Sequence, residues 1–121
     1  MKFLMYTLGD DSTPIPPPSP ELLTEMGKFM KQVTDAGVLL ATGGMAPTSE
    51  GTTVRLSNGK FTVTDGPYAE SKELIGGWAL VQVGSKEEAI HWAERFLRIN
   101  GGGESRIRQV FGPDDPMPNF T

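Results

Sequence analysis

The run from Leu74 to Val83 is apolar on both of its sides. Read as a strand, it points Leu74, Trp78 and Leu80 one way and Ile75, Ala79, Val81 and Val83 the other, because successive side chains alternate across a pleat. Lys2 to Leu8 repeats the pattern, with Phe3 and Met5 opposed to Leu4, Tyr6 and Leu8. A sheet containing two such strands needs cover on both faces. Each large side chain left in water would forgo roughly 1.5–3 kcal/mol, and a few together match a good part of a small domain's net stability.

The remaining segments decide how much cover the chain can supply. Ser19 followed by Pro20 is a helix start, and Leu22, Met26, Phe29 and Val33 recur at helical spacing until Gly37. Val38 to Thr42 is a short apolar strand bounded by Gly43 and Gly44. Ser85 with Glu88 three positions later forms a capping box that opens a second helix, expected to run through about Leu97. Ala89, Ala93 and Phe96, with Ile90 and Leu97 beside them, give that helix its apolar stripe. Asn100 to Gly103 ends it, and Ser105 to Phe111 reads as a last strand.

Between the second strand and Leu74 lies a hairpin. Asn58-Gly59 supplies the positive φ angles of a two-residue type I′ turn and joins two alternating runs. Ser57 then faces Lys60, Leu56 faces Phe61 and Val54 faces Val63, so one face is apolar while Thr53, Arg55, Thr62 and Thr64 occupy the other. The element order specifies an α+β fold: a ferredoxin-like split βαβ arrangement with an added hairpin and two helices over one face of an antiparallel sheet. With 121 residues the chain is sized for one domain, expected over 1–112, and 113–121 is expected to be an irregular tail.

Two helices shield one side of such a sheet. The simplest cover for the other is a second copy of the chain, so a homodimer closed by two-fold symmetry is expected. The second-ranked alternative folds the hairpin and tail over the sheet as a lid.

Composition removes several function classes. The absence of cysteine excludes disulfide frameworks, thiolate metal sites and cysteine nucleophiles, and it fits a reducing cytoplasm. A net charge of −4 without a basic block argues against nucleic-acid binding. The apolar stretch Phe3 to Leu8 is too short for a signal-peptide core and runs into Asp10 and Asp11, so neither secretion nor a membrane span is expected. The glycine clusters lack the following Lys-Ser/Thr of a phosphate loop, no histidine–carboxylate spacing suits a metal, and no cofactor is expected.

Asp65 is the residue that could carry chemistry. The hairpin register sets it on the side of Phe61 and Val63, where desolvation would prepare a carboxylate for proton transfer. Asp65-Gly66-Pro67 is equally turn chemistry, which is the commoner use of an aspartate. Tyr68, Glu70 and Lys72 follow the turn and could either line a pocket or keep a loop solvated. Gly76-Gly77 inside a strand indicates a bulge or the floor of a ligand site.

The run Thr64-Asp65-Gly66-Pro67-Tyr68-Ala69-Glu70-Ser71-Lys72-Glu73-Leu74-Ile75-Gly76-Gly77-Trp78 resembles the signature of the YCII-related family, and within it the DGPF subfamily, whose run is typically D-G-P-F-A-E-T-K-E-x-x-G-G-F. Tyr68, Ser71 and Trp78 are conservative departures. The resemblance implies a ferredoxin-like fold assembled as a dimeric α+β barrel. It also implies a small-molecule enzyme or ligand-binding protein with a cleft near the Asp65-Gly66-Pro67-Tyr68 turn. In that cleft Asp65 would be catalytic, and Gly66, Pro67, Tyr68, Glu70, Lys72, Gly76 and Trp78 would contact ligand. The wider family is thought to use a histidine–aspartate pair. The single histidine, His91, lies in the second helix beside charged residues and off its apolar stripe, so no such pair is assigned. The alternative that the resemblance carries is a protein-interaction module without catalysis, because DGPF-type proteins tend to be encoded near sigma factors.

Overall fold

Ser19 and Ser85 start the two helices in the same way. Each side chain accepts a backbone N–H from three residues on, Leu22 at 3.1 Å and Glu88 at 3.2 Å, which satisfies one of the free donors of a first turn. In the computed structural model, which describes residues 1–9, 18–46, 48–66 and 74–116, helix α1 spans Pro20–Asp35 and helix α2 spans Lys86–Asn100. The capping box at α2 departs from its expected form. Glu88 accepts the N–H of Gly84 at 2.9 Å, one residue before the cap, so its carboxylate ties the incoming loop to the helix. The helix also outruns Leu97, because Ile99 still packs on the core, and it ends where Gly101 takes a left-handed φ of 86°.

Among the described residues six strands accompany them: β1 Lys2–Gly9, β2 Leu39–Gly44, β3 Thr52–Ser57, β4 Lys60–Asp65, β5 Leu74–Gln82 and β6 Ser105–Val110. Four form an antiparallel sheet in the order β2-β5-β1-β6, which with α1 and α2 makes the fold ferredoxin-like α+β. The core lies between sheet and helices, where Phe3, Val81 and Val83 meet Phe29, Val33 and Ala89. Phe3 and Val81 are directly opposed across β1 and β5 and are 3% and 1% exposed.

Gly76-Gly77 form a bulge. Tyr6 pairs with Trp78 and Leu8 with Ile75, so two glycines on β5 oppose the single Thr7 on β1. The Thr7 hydroxyl repairs the interrupted ladder by accepting the N–H of Gly77 at 3.0 Å and lying 3.4 Å from its carbonyl. A second irregularity between Leu39 and Ala41 leaves Leu40 46% exposed.

The hairpin has the register that Asn58-Gly59 dictates, with φ of 54° and 76° at the turn and Val54, Leu56 and Ser57 opposite Val63, Phe61 and Lys60. It forms its own two-stranded sheet. Val54, Leu56, Phe61 and Val63 remain 61% to 73% exposed, so the hairpin does not close over its own sheet as a lid. The other face of the four-stranded sheet, bearing Leu4, Tyr6, Trp78 and Leu80, is half-buried and lies opposite the helices. Among the described residues no helix is long and apolar enough to cross a membrane.

Candidate functional site

Helix spacing brings Phe29 and Val33 of α1 together with Trp92 and Phe96 of α2, and both helices pack against the same core. The aromatic rings meet at an angle and do not stack: Phe29 lies 6.0 Å from Trp92 and 6.5 Å from Phe96 between centroids, tilted by 56° and 46°. Tilted rings over a twisted sheet leave a gap. A cavity of about 220 Å³ opens there, walled by these rings with Met5 and Met30 and floored by the β5 segment Gly77–Ala79.

Two hydroxyls beside this space, those of Thr7 and Thr42, are already engaged. Thr7 is tied to Gly77, and the Thr42 hydroxyl donates to the Trp78 carbonyl at 2.8 Å. No charged side chain is buried among the described residues. Arg95 lies outside the rings, its guanidinium 4.9 Å from the Trp92 ring and 5.3 Å from the Phe29 ring, and it donates to Gln32 on α1, so it clasps the two helices over the cavity. The Trp92 indole N–H is buried without an acceptor among the described residues.

Trp78 contributes backbone to the cavity and its ring to the other side of the sheet. It pairs with Tyr6 and Gly43, and a Cβ built at Gly43 would stand 3.1 Å from its Cζ2 atom, so the indole lies across the glycine on the open face. Gly77 meets the cavity as floor, and Gly76 takes part in the bulge beside it. Asp65 closes the hairpin instead. It is exposed, stands opposite Thr52, and accepts the Thr52 hydroxyl at 2.8 Å. Gly66 follows with a φ of 114°, donating its N–H to the Gly51 carbonyl at 2.9 Å. Neither borders the cavity. Pro67, Tyr68, Glu70 and Lys72 lie outside the described residues. His91 is exposed on α2 with its ring 6.0 Å from that of Trp92.

Helical spacing puts Phe29 and Phe96 on the apolar stripes and does not single out Met30 or Trp92, and periodicity cannot separate a wall around a void from a packed core. The signal that could have marked them is their size: two aromatic side chains one turn apart on α2 line the same space as the small residues Gly77 and Ala79 of the sheet.

Among the described residues, no cluster of three or more histidines, cysteines, aspartates or glutamates could hold a metal ion. Comparison with known proteins finds an uncharacterized protein, R00369, of Rhizobium meliloti (strain 1021), 29% identical over 97 residues that make up 78% of each chain. The model of the YCII-related domain matches residues 1–111, the whole length that carries the sheet and both helices. The chain therefore belongs to the YCII-related family.

Proposed function

We propose that the protein binds a small, uncharged, predominantly apolar molecule between its helices and its sheet. The observation that carries this reading is the cavity of about 220 Å³ beneath Phe29, Trp92 and Phe96. An apolar hole of roughly 150 Å³ suffices for benzene, so this space suits a molecule of one or two rings. A charged ligand would lose its hydration there without meeting a countercharge, a cost of several kcal/mol. Binding is favoured over catalysis because the groups around the cavity are hydrocarbon, aromatic or hydroxyl, with Asp65 outside it.

The test is quenching of tryptophan emission by iodobenzene and by 4-iodobenzoate, which differ by a carboxylate. Saturable quenching by the neutral compound, at least tenfold weaker for the anion and lost in Trp92→Phe, is the expected result. Equal, unsaturable quenching by both would remove the proposal.

The DGPF-type signature around Asp65 supports a different site, in which Asp65 moves a proton and Pro67, Tyr68, Glu70 and Lys72 contact ligand. The exposed position of Asp65 and its bond to Thr52 weigh against it. Asp65→Asn, with unchanged turnover of any substrate found by screening, would end that reading.

We further propose that the chain works as a homodimer of the dimeric α+β barrel type. Its support is the open sheet face, where Leu4, Tyr6, Trp78 and Leu80 have no covering element of their own chain among the described residues. A protein-interaction role is the competing use of the exposed apolar surfaces, including the hairpin. Sedimentation equilibrium separates them: a dimer at micromolar concentration supports pairing, and a monomer with native circular dichroism removes it.

A further inference from the structure

Resting on the ligand-binding reading of the cavity, we infer that Ser105 is its polar anchor. The molecule bound there is a neutral phenol or aromatic alcohol, held with its oxygen on the Ser105 hydroxyl and its apolar end pointing away from it.

The register of the sheet sorts the cavity floor into rows. Phe3 is buried in the core, and Met5 and Thr7 follow it at two-residue steps along β1, so all three face the helices. Ile107 stands opposite Met5 and packs on the core, and Ser105 stands opposite Thr7, so the Ser105 side chain shares that face. Across β5, Met5 and Thr42 both pair with Ala79, and Phe3 and Leu39 both pair with Val81. The floor therefore passes from Ser105–Thr7, through Met5–Ala79, to Leu39–Val81, and all six residues line the cavity. Four residues of strand separate the first row from the last, about 13 Å at a rise of roughly 3.3 Å per residue. A benzene ring substituted at both ends of one axis fits along that line, under the rings of Phe29, Trp92 and Phe96.

Polarity available to such a molecule lies at one end of the floor. The Thr7 hydroxyl is taken by the Gly77 amide and that of Thr42 by the Trp78 carbonyl. Ser105 is half-buried, and its hydroxyl makes no hydrogen bond among the described residues, which leaves it a donor and two acceptor positions for a ligand. A hydrocarbon seated here would strip that hydroxyl of solvent and give it nothing in return, whereas a ligand oxygen replaces the lost bond. At the Leu39–Val81 end the same oxygen would meet only hydrocarbon, which fixes the orientation. No charged residue among those described lines the cavity, so the oxygen belongs to a neutral hydroxyl and not to a carboxylate.

4-Iodophenol and 4-iodotoluene are matched in length and differ in the oxygen, and at pH 7 the phenol is uncharged. Their dissociation constants are read from saturable tryptophan quenching in the wild type and in Ser105→Ala. A neutral hydrogen bond corresponds to roughly 3- to 10-fold in affinity. Ser105→Ala should therefore weaken 4-iodophenol at least threefold and leave 4-iodotoluene within twofold or tighten it, with circular dichroism unchanged. If Ser105→Ala does not fold, Ser105→Cys, which keeps the size of the side chain and weakens its hydrogen bond, is measured in its place. Equal changes for the two probes, or no change for either, overturn Ser105 as the anchor and leave the cavity reading standing. Absence of saturable quenching by either probe in the wild type overturns both.

Discussion

Gly43 stands directly opposite Trp78, and a methyl group on Gly43 would come within 3.1 Å of the indole carbon Cζ2. The indole lies where the glycine has no side chain, which fixes the ring flat across β2 on the open face. Gly43→Ala therefore has to displace the ring. We expect a loss of about 1–3 kcal/mol in chemical denaturation, the usual cost of overpacking, with a shift in Trp78 emission. Gly27→Ala is the control, because Gly27 lies inside α1 with open space around it and should gain roughly 0.5–1 kcal/mol. Equal effects at both positions would show that the indole is not held against Gly43.

Thr7 holds the bulge by accepting the Gly77 N–H. Thr7→Val keeps the shape and removes the acceptor, leaving that N–H without its partner. A loss of about 1–2 kcal/mol is expected, and Thr7→Ser should recover most of it. Hydrogen exchange at the Gly77 amide gives the local readout: it should quicken in Thr7→Val and stay protected in Thr7→Ser.

Ser85 and Glu88 make separate bonds at the start of α2. Ser85→Ala should cost about 1 kcal/mol in thermal or urea unfolding. Glu88→Gln retains an acceptor for Gly84 and should cost less than half as much, since it loses only the interaction of a carboxylate with the helix N-terminus. A larger loss at Glu88 would mean that the tie to Gly84 dominates the cap.

Elements held together by neighbours in sequence were legible from the chain. Ser19 before Pro20, and Asn58-Gly59 between alternating runs, each contain the whole physical cause of the structure they produce, so α1 and the hairpin register follow from a few letters. The bulge was half legible: the two glycines marked it, whereas the hydroxyl that stabilises it comes from Thr7, seventy residues away in sequence. The cavity was not legible, because its walls come from both helices and several strands and its existence depends on the tilt of Phe29 against Trp92 and Phe96. The position of Asp65 shows a different limit. Its register opposite Thr52 follows from the turn, yet the expectation that its face would be desolvated required knowing that something covers the hairpin, and within one chain nothing described does.

The two tryptophans lie on opposite sides of the sheet, which makes each a separate reporter. Trp92→Phe should abolish the response to a neutral apolar quencher while leaving self-association intact. Trp78→Ala should do the reverse, weakening association by tenfold or more with ligand response retained. Coupled loss of both properties in either variant would show that cavity and open face are one site.

The most direct measurement is a crystal structure determined under xenon pressure. A persistent apolar cavity takes up xenon, so an anomalous peak should appear between Phe29, Trp92 and Phe96 above the β5 strand, with those side chains unmoved. Rings closed onto Ala79 with no xenon between them would contradict the account, since the space that defines the proposed ligand would not exist.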